Sequence, residues 1–517
     1  MYITQGLHRS VQISGNMLST QFGDRRRTWN ETADRVGRLA AGLASLGVAT
    51  GDRVGILAVN SDRYLEAYYA VAWSGAVIVP GNIRWSEAEH HFAFRDAGVK
   101  VLLVDRLFSS LLPAFEDLKF DAVIYMDDGE PPAGAIGYEE LIAAFDPAPD
   151  QCTRDDDLVG IFYTGGTTGF PKGVMLSHRS IISSFLCSAA LTYRGEAPVF
   201  LHSAPMFHLA DASCVFGVTM TGGSHVILPL FSTAGVIDAV TRLGANSLVL
   251  VPTMFSMIDQ HLREEPADLS GVTHITYGAS PISESLLRRA IEIFPNAQFS
   301  QAYGQTELSP VATVLEPRFH ALTGPDSGRL RSAGRAAPGI DVRIIDADLN
   351  ELPRGQVGEI AVQSPGCMVG YWNQPELTAQ TIVDGWLRTG DAGYMDGEGF
   401  VFVVDRVKDM IISGGENVFS AEVENALSSH SAVLECAVIG VPDGHWGERV
   451  HAIVVLRDGM SASGEELRAH CQGLIAGYKC PRSFDFSNEP LPLSGTGKVL
   501  KTELRKLYWD GLERSVS

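Results

Sequence analysis

Short apolar runs separated by helical stretches are the feature that most constrains the fold of this chain. Runs of mostly Val, Ile, Leu and aromatic residues lie at 54–59, 101–104, 122–125, 158–163, 226–228, 248–251 and 274–277. Strands of this kind are buried on both faces, which is typical of parallel sheets covered by helices. The pattern predicts an α/β domain whose ligand-binding loops follow the carboxyl ends of the strands.

The pattern changes from about residue 340 onward. Strand-like segments at 342–345, 358–363 and 400–404 come close together with Gly, Pro and Asp turns, and they predict a small β-rich subdomain. After residue 409 the order helix, strand, strand, helix predicts a compact α+β domain of about a hundred residues. A chain of 517 residues is too long for one ordinary core, which agrees with a large domain plus a small one.

The charge balance argues against a nucleic-acid partner. The chain has 40 Lys and Arg residues and 61 Asp and Glu residues, a formal net charge of −21. An acidic surface repels a phosphate backbone. Any anionic ligand therefore needs a local cationic site.

Cysteine spacing and hydropathy predict a cytoplasmic protein without a zinc site or a transmembrane segment. The seven cysteines are scattered singly, without a Cys-x-x-Cys pair, which is typical of reduced thiols. The N-terminus has no apolar stretch of signal-peptide length. The longest run without a charged residue, 212–237, contains Gly222, Gly223 and Pro229 and predicts core strands.

A loop rich in glycine and threonine directly follows the apolar run 158–163. Residues 163–173 read Tyr-Thr-Gly-Gly-Thr-Thr-Gly-Phe-Pro-Lys-Gly. Glycines let the backbone approach a ligand closely, and successive N–H groups can form an anion-binding nest. The loop predicts a phosphate site, since a ligand-free surface loop has no need of threonines and a lysine after a buried strand. The candidate phosphate ligands are Thr164, Gly165, Gly166, Thr167, Thr168, Gly169 and Lys172.

Two other nucleotide-binding motifs fail in this sequence. The P-loop pattern requires Ser or Thr after Gly-Lys, but Val499 follows Gly497-Lys498. The dinucleotide fingerprint fails because Phe402 stands where a third glycine is needed after 397–399.

Five segments resemble motifs of the adenylate-forming enzymes, which include acyl-CoA synthetases, firefly luciferase and peptide-synthetase adenylation domains. Besides the loop 163–173, they are QAYGQTE at 301–307, GWLRTGD at 385–391, DRVKDMIISGGENVFSAEVE at 405–424 and LPLSGTGK at 491–498. They occur in the family's order, and the resemblance covers nearly the whole chain. A minor departure is Gly165, since many members have a serine at this position. Long-chain fatty acyl-CoA ligases resemble this chain there.

The resemblance implies a fold class and a domain division. The expected fold is α/β, with a large N-terminal AMP-binding domain of two parallel-rich sheets and a small β subdomain, followed by a small mobile α+β domain. We predict the N-terminal domain over 1–405, a hinge over 406–408 and the C-terminal domain over 409–517. In the family the small domain rotates between two half-reactions.

The resemblance also implies an activity, that of an AMP-forming acyl-CoA synthetase, which is an acid–thiol ligase. A carboxylate attacks the α-phosphate of ATP to give an acyl-adenylate and pyrophosphate, and the thiolate of coenzyme A then displaces AMP. ATP, Mg²⁺ and coenzyme A are the expected cofactors and substrates, with a small-molecule carboxylic acid as the partner. The oligomeric state is left open, a homodimer being one assembly that the sequence allows.

Catalytic roles carry over residue by residue from the matching motifs. Lys498 would reach the α-phosphate and the carboxylate, as a compact charge on a flexible arm. Glu307 would bind Mg²⁺ together with Thr164, because Mg²⁺ prefers oxygen ligands, and Thr306 would contact the α-phosphate. Lys408 matches the hinge position.

The adenosine moiety has its own predicted ligands. Asp391 would accept hydrogen bonds from the ribose hydroxyls, and Arg406 would donate to the same sugar. The residues expected along the adenine and the adenylate are Gly278, Ala279, Ser280, Gln301, Ala302 and Tyr303.

The segment PMFHLADAS at 205–213 resembles the one that lines the acyl site. Because His208 follows Phe207 where amino-acid-activating relatives have an aspartate, an amino-acid substrate is not expected. A mainly apolar pocket suits a fatty or an aromatic acid. A medium- or long-chain fatty acid is the preferred prediction, and an aryl acid such as a cinnamate or benzoate is the alternative. The predicted pocket residues are Phe207, His208, Tyr277 and Ala279, with Val215 and Met254.

Coenzyme A has two sets of candidate contacts. Gly414 and Gly415 would leave room for the pantetheine arm, and Trp446 would line the same tunnel. A basic cluster near the C-terminus is a further hypothesis for the CoA phosphates. Its members are Lys479, Arg482, Lys498, Lys501, Arg505 and Lys506.

Three alternatives remain at this stage. A luciferase-like oxygenase belongs to the same superfamily and shares the motifs. A nonenzymatic nucleotide-binding regulator could retain the fold, although retention of Lys498, Glu307 and Asp391 argues against it. A phosphate-releasing NTPase would form ADP rather than AMP.

Overall fold

A computed structural model of the chain describes residues 1–165, 171–192, 197–280, 282–492 and 499–509. The predictions that lie outside these ranges are those for Gly166, Thr167, Thr168, Gly169 and Lys498.

The strands of the described residues are numbered in chain order. They are β1 (Leu18–Phe22), β2 (Arg25–Thr28), β3 (Arg53–Leu57), β4 (Val77–Pro80), β5 (Val99–Val104), β6 (Ala122–Tyr125), β7 (Ile136–Gly137), β8 (Leu158–Thr164), β9 (Lys172–Ser177), β10 (Val199–His202), β11 (Ser224–Ile227), β12 (Ser247–Leu250), β13 (His274–Gly278), β14 (Gln298–Tyr303), β15 (Thr313–Leu315), β16 (Arg335–Ala336), β17 (Asp341–Ile345), β18 (Gly358–Gln363), β19 (Gly370–Tyr371), β20 (Ile382–Val383), β21 (Trp386–Met395), β22 (Val401–Arg406), β23 (Ile411–Ser413), β24 (Glu416–Val418), β25 (Val433–Asp443), β26 (Gly447–Leu456) and β27 (Ser483–Ser487).

The α-helices follow the same convention. They are α1 (Thr4–Ser14), α2 (Trp29–Ser45), α3 (Asp62–Trp73), α4 (Glu87–Ala97), α5 (Tyr138–Ala143), α6 (His178–Thr192), α7 (Leu209–Thr221), α8 (Thr233–Thr241), α9 (Pro252–Glu264), α10 (Glu284–Ile293), α11 (Pro375–Thr381), α12 (Ser420–Ser428), α13 (Gly464–Gln472) and α14 (Lys501–Lys506). Short 3-10 helices cover Ser109–Leu118, Thr306–Leu308, Pro317–His320 and Val407–Asp409. Among the described residues, none of the helices combines the length and the apolar character that a membrane crossing requires.

Contacts within the chain define two compact units. Unit 1 comprises Met1–Asp341 and Val362–Leu387, and unit 2 comprises Val342–Ala361 and Arg388–Ser517. The predicted division at residues 405–409 concerns which part rotates during the reaction, and it stays a prediction.

Unit 1 contains two parallel-rich sheets, which confirms the predicted α/β fold class. The first has the order β16-β15-β14-β13-β12-β10-β11-β1-β2, parallel from β14 to β1 and antiparallel at its edges. The second has the order β19-β9-β8-β4-β3-β5-β6-β7, with β9 and β19 antiparallel at one edge. The apolar runs of the sequence become the central strands, because only those strands are covered on both faces.

Helices of unit 1 begin where side chains cap free backbone N–H groups. Thr28 caps α2 and forms a reciprocal capping box with Glu31, and Ser86 does the same with Glu89 at α4. Each cap satisfies N–H groups that the first helical turn leaves without partners. The helices then bury one face against the sheets, and α3 is buried along its whole length.

Unit 2 contains a mainly antiparallel sheet and a second sheet on which helices pack. The first has the order β17-β18-β21, with β22 also on β21. The second has the order β24-β23-β26-β25, with β27 parallel to β26. Buried side chains from α12, α13 and the second sheet form one core that includes Val423, Leu427, Val438, Val450 and Leu467. The predicted small α+β segment is confirmed.

Candidate active site

The loops after β13 and β14 lie side by side at one edge of the first sheet. Gly278 pairs with Ala302, and these strands are parallel, so their carboxyl ends meet. A Cβ atom at Gly278 would lie 2.2 Å from the Ala302 carbonyl oxygen, a distance that only glycine tolerates. The next residue, Ala279, adopts a left-handed φ of 64°, which is costly for a residue with a Cβ. The structure therefore brings together two segments that the sequence assigned to the adenylate.

The turn that follows β14 presents a carboxylate. Thr306 is buried and Glu307 is half-buried in the 3-10 helix Thr306–Leu308. Close backbone approach shapes this turn, since a Cβ atom at Gly304 would lie 2.0 Å from the Pro310 carbonyl oxygen. The Met368 N–H donates to the Glu307 carbonyl oxygen at 2.8 Å.

The predicted phosphate loop lies between β8 and β9 of the second sheet. Thr164 and Lys172 are opposite each other on these antiparallel strands, so they frame the loop on its two sides. Lys172 is half-buried and forms no ion pair with a described residue. Its Nζ lies 5.6 Å from the centroid of the Tyr371 ring.

Tyr371 connects the phosphate loop to Glu307, and our sequence reasoning missed it. Its hydroxyl donates to Glu307 Oε1 at 2.9 Å, and its ring faces Lys172. The available signal was the glycine and two aromatic residues at 370–372, but β19 is only two residues long and has no readable periodicity.

The donor set fits a magnesium ion held mainly by ATP. No group of three or more metal-binding side chains occurs among the described residues. Glu307 has one oxygen engaged by Tyr371, while no described residue hydrogen bonds to Oε2. Mg²⁺ commonly takes one or two carboxylates and completes its shell with phosphate oxygens and water, so a single available carboxylate oxygen suits it.

Side chains of Asn60 and Tyr68 fix the backbone of the predicted acyl-site segment by hydrogen bonds. Asn60 accepts from the Met206 N–H at 2.7 Å and donates to the Ala204 carbonyl at 2.8 Å, and Tyr68 donates to the Met206 carbonyl at 2.6 Å. Phe207 follows in a buried position, and His208 caps α7 by accepting from the Ala210 N–H.

Tyr277 lies in the core, although the sequence assigned it to the acyl pocket. It is 1% exposed, packs near Phe255 and Phe299, and hydrogen bonds His320 Nε2 at 3.0 Å. His320 Nδ1 lies 3.1 Å from the Glu316 carbonyl oxygen and must donate to it, so Nε2 accepts from the tyrosine. Burial lowers the pKa of His320 to about 4, which keeps the ring neutral at pH 7.

A buried hydrogen-bond chain behind α7 is a second feature that the sequence did not reveal. Thr219 donates to the Val215 carbonyl at 2.8 Å, so its oxygen accepts from His225 Nε2. His225 Nδ1 then accepts from His202 Nε2 at 2.8 Å, and His202 Nδ1 faces Asp211 Oδ1 at 2.5 Å. Asp211 is thus fully buried and paired with a histidine.

The two predicted ribose ligands are partners in unit 2. Asp391 on β21 pairs with Arg406 on β22, and Arg406 Nε lies 2.9 Å from Asp391 Oδ1. Thr389 supports both, because its hydroxyl accepts from the Asp391 N–H and its carbonyl accepts from Arg406. This arrangement gives a carboxylate acceptor and a guanidinium donor next to each other.

The predicted hinge residue lies in a turn that is anchored on its C-terminal side. Lys408 belongs to the 3-10 helix Val407–Asp409, and Asp409 accepts from Arg505 of α14 at 2.7 Å. Burial disfavours the charged form of Asp409, but Arg505 and Lys501 outweigh this cost and lower the pKa of the carboxyl. The turn is therefore tied to the helix that follows the Lys498 loop in sequence.

The three predicted CoA residues lie together in unit 2. Gly414 and Gly415 are the central pair of a two-residue hairpin between β23 and β24, with φ values of 63° and 83°; such a turn requires φ > 0 at both positions. The Trp446 ring covers Gly414, where an added Cβ would lie 2.5 Å away. The Arg482 guanidinium stacks on the Trp446 ring, 4.1 Å from the ring centroid.

Four members of the predicted basic cluster are already neutralised by carboxylates. The pairs are Lys479 with Glu422 at 2.7 Å, Lys501 with Glu424 at 2.8 Å, Arg505 with Asp409 at 2.7 Å and Lys506 with Glu503 at 2.6 Å. We therefore do not retain the hypothesis of one large basic patch for CoA, and Arg482 remains as its described member next to Trp446.

Two family profiles match this chain. The profile described as AMP-binding enzyme matches residues 7–372, and the profile described as AMP-binding enzyme C-terminal domain matches residues 422–498. A feruloyl-CoA synthase from an Amycolatopsis species is 38% identical, over 97% of this chain and 98% of its own length.

Further relatives and structures agree with these matches. The fatty acid–[acyl-carrier-protein] ligase ScoC of Streptomyces coeruleorubidus is 35% identical, over 95% of this chain and 94% of its own. The o-succinylbenzoate CoA synthetase MenE from Bacillus subtilis, solved with an acyl-adenylate intermediate, has a TM-score of 0.85 and 30% identity, and the match covers 97% of each chain. The chain therefore belongs to the AMP-binding enzyme family of adenylate-forming enzymes and is an acid–thiol ligase.

Proposed function

We propose that this enzyme activates an aryl carboxylic acid, of the phenylpropenoic class, and transfers it to coenzyme A. The observation that carries this proposal is the 38% identity to a feruloyl-CoA synthase over nearly the full length of both chains. The similarity to an o-succinylbenzoate CoA synthetase supports it, since that acid is also aromatic. The aryl acid thereby replaces the fatty acid that the sequence reasoning preferred.

A fatty acid is the second candidate. The 35% identity to a fatty acid–[acyl-carrier-protein] ligase favours it and also raises a carrier protein as the thiol acceptor. The apolar residues Phe207, Val215 and Met254 suit either kind of acid.

In the proposed first step a carboxylate oxygen of the acid forms a bond to the α-phosphorus of ATP. The bond from that phosphorus to the bridging oxygen breaks, and pyrophosphate leaves with the electron pair. Lys172 would neutralise charge on the departing phosphates, and its lack of a described carboxylate partner supports this role. Thr164, Gly165, Gly166, Thr167, Thr168 and Gly169 would cradle the same phosphates.

Glu307 would hold Mg²⁺ against the phosphates, and Thr164 is a further candidate ligand. Bound Mg²⁺ would supply charge neutralisation on the triphosphate. Support comes from the Oε2 atom of Glu307, which has no hydrogen-bond partner among the described residues. Thr306, next to it, would donate to the α-phosphate.

The nucleoside would be held by groups from three motifs. Asp391 would accept from the ribose hydroxyls while Arg406 donates to the sugar, and the 2.9 Å pair supports this by placing a carboxylate and a guanidinium side by side. Backbone groups of residues 278–280 and 301–303 would lie along the adenine. Lys498 would neutralise the approaching carboxylate and the α-phosphate, as the one cation that the resemblance assigns to that point.

In the proposed second step the CoA sulfur forms a bond to the acyl carbon, the acyl–oxygen bond to AMP breaks, and the thiol proton passes to solvent. Gly414 and Gly415 would leave space for the pantetheine arm beside Trp446. Arg482, which stacks on Trp446 at 4.1 Å, would attract a CoA phosphate. Lys408 would absorb the backbone change between the two steps.

A matched panel of acids tests the proposed function. The protein is incubated with ATP, Mg²⁺ and coenzyme A, and thioester formation is measured with ferulate, 4-coumarate, benzoate, octanoate and palmitate. We expect kcat/KM for ferulate or 4-coumarate to exceed that for octanoate at least about tenfold. An apolar pocket shaped for a planar ring discriminates against a flexible chain by a factor of this order. A higher value with octanoate or palmitate would overturn the aryl assignment. Replacement of coenzyme A by a carrier protein with a free phosphopantetheine thiol tests the acceptor.

A further inference from the structure

Strand β19 places an aromatic side chain at the entrance of the phosphate loop. Tyr371 pairs with Val174 of β9, two residues after Lys172. Flanking backbone hydrogen bonds fix this register, from the Trp372 N–H to the Gly173 carbonyl at 2.7 Å and from the Val369 N–H to the Met175 carbonyl at 2.9 Å. The backbone of Tyr371 is therefore as rigid as the sheet itself.

The Tyr371 side chain contacts both charged groups of the predicted phosphate site in unit 1. It is 8% exposed, its hydroxyl donates to Glu307 Oε1 at 2.9 Å, and the Lys172 ammonium lies over its ring at 5.6 Å. A hydrogen bond to a carboxylate is stronger than a neutral one, and a cation over an aromatic face is attracted by the ring. One side chain thus restrains a carboxylate and a cation at once.

The hydrogen bond also makes the two carboxylate oxygens of Glu307 different from each other. Oε1 is held by the phenol, so the carboxylate plane cannot rotate freely, while Oε2 has no described hydrogen-bond partner. A carboxylate that is already oriented loses less conformational entropy when it binds a metal ion.

We propose that Tyr371 is a positioning residue that orients Glu307 toward the metal–ATP complex and holds Lys172 beside the same phosphates. This inference rests on the proposed metal role of Glu307. It predicts that the Tyr371 hydroxyl contributes specifically to the advantage that Mg²⁺ gives to ATP binding, while the ring acts through Lys172 on ATP binding with or without Mg²⁺.

The test is calorimetric titration of the whole protein with ATP, once with Mg²⁺ and once with EDTA. In Tyr371→Phe we expect the ratio of the two affinities to fall about tenfold, which corresponds to loss of one hydrogen bond to a charged group. ATP affinity in EDTA should stay within about twofold, because the ring under Lys172 is retained. The Mg²⁺ dependence of pyrophosphate release should shift to higher concentration by a similar factor.

Trp372→Phe is the matched control. It removes the indole donor to the Asp96 carbonyl, a 2.8 Å bond on the next residue of the same segment, but no contact with Glu307. We expect the Mg²⁺ advantage of this variant to equal that of the parent. An equal fall in both variants would mean that disturbing the segment is sufficient, and it would overturn the positioning role.

Glu307→Gln separates this inference from the proposed function. If this variant loses the Mg²⁺ advantage and Tyr371→Phe keeps it, the positioning role is wrong while the metal role stands. If Glu307→Gln keeps the advantage, the metal role itself is wrong and the inference falls with it. If both lose it, the double variant should be no worse than Glu307→Gln, because the two residues act through one carboxylate.

Discussion

One lysine of unit 1 and four cations of unit 2 are used in opposite ways. In unit 1 Lys172 lies at the end of the predicted phosphate loop with an aromatic ring beneath it and no ion pair among the described residues. In unit 2 four cations near the C-terminus each lie within 2.8 Å of a carboxylate: Lys479, Lys501, Arg505 and Lys506.

The difference separates charge that is available to a ligand from charge that supports the fold. The largely buried pairs of Lys501 and Arg505 must be broken at a cost of several kcal/mol before either cation can serve a phosphate. The Lys506 pair is exposed and contributes little to the fold. A cation on an aromatic ring keeps its N–H donors for a ligand. Clustering of lysines and arginines in a sequence therefore does not by itself mark an anion site.

The largest effect should come from Lys498→Ala. Lys498 lies outside the described residues, and its sequence neighbours Lys501 and Arg505 are paired, so we expect it to be the cation of its segment that acts on substrate. Adenylation, measured as acid-dependent pyrophosphate release, should fall about 10²–10³-fold, since a group aimed at the developing charge is lost. Thioester formation from supplied acyl-adenylate should change little. Equal losses in both half-reactions of a folded protein would contradict this role.

The next largest effect should come from Asp409→Asn, which breaks the pair with Arg505. Both side chains are nearly buried, at 14% and 10% exposure, so an unpaired guanidinium would remain inside. We expect a loss of about 3 kcal/mol in the free energy of unfolding, measured by urea titration.

Glu503→Gln is the control for this loss. It removes the partner of Lys506, a pair whose lysine is 69% exposed, and should cost no more than about 0.5 kcal/mol. Similar losses in the two variants would erase the distinction between fold-supporting and surface pairs.

A third prediction concerns acid stability, which should be limited by unit 1. His90, His178 and His320 each have a pKa of about 4, lowered chiefly by burial. In the unfolded state these histidines take up protons at about pH 6.5. Their contribution to the free energy of unfolding is therefore complete above that pH and is lost as pH falls toward 4. His320→Gln should reduce the slope of unfolding free energy against pH in this range by about 1.4 kcal/mol per pH unit. An unchanged slope would show that His320 is protonated in the folded protein.

The smallest effect should come from Lys172→Met, which removes the cation that has no ion pair among the described residues. We expect KM for ATP to rise about fivefold, close to 1 kcal/mol, because the ammonium is half-exposed and partly screened. The unfolding midpoint should stay the same, and the fivefold difference should shrink at high salt. A stability loss without a change in KM would place Lys172 in the same class as the paired cations of unit 2.

Much of the fold follows from local pattern. The apolar runs at 158–163, 248–251 and 274–277 become β8, β12 and β13, since a strand without polar side chains has to be covered on both faces. Local chemistry also accounts for Gly414 and Gly415, because both occupy positive φ in a hairpin that few other residues tolerate.

The candidate site was predictable only in part. Glu307, Asp391 and Arg406 were predicted as ligands because their motifs combine residue types with a characteristic order, and their roles stay predictions. Tyr371 was not found, since its strand has two residues and its partner Glu307 lies 64 positions away in the chain. Tyr277 was assigned to a pocket from its neighbours in sequence, but its ring points into the core, where His320 satisfies the hydroxyl.

By itself, the sequence determined the fold class, the family and the set of charged residues from which a site is made, because these depend on short-range pattern and residue type. Only the tertiary structure decided which charges are neutralised. Lys479 meets a glutamate 57 positions away and Arg505 an aspartate 96 positions away, whereas Lys172 meets an aromatic ring. Coulombic and hydrogen-bond energies depend on distances of a few ångströms, and folding alone sets those distances between residues so far apart in the chain.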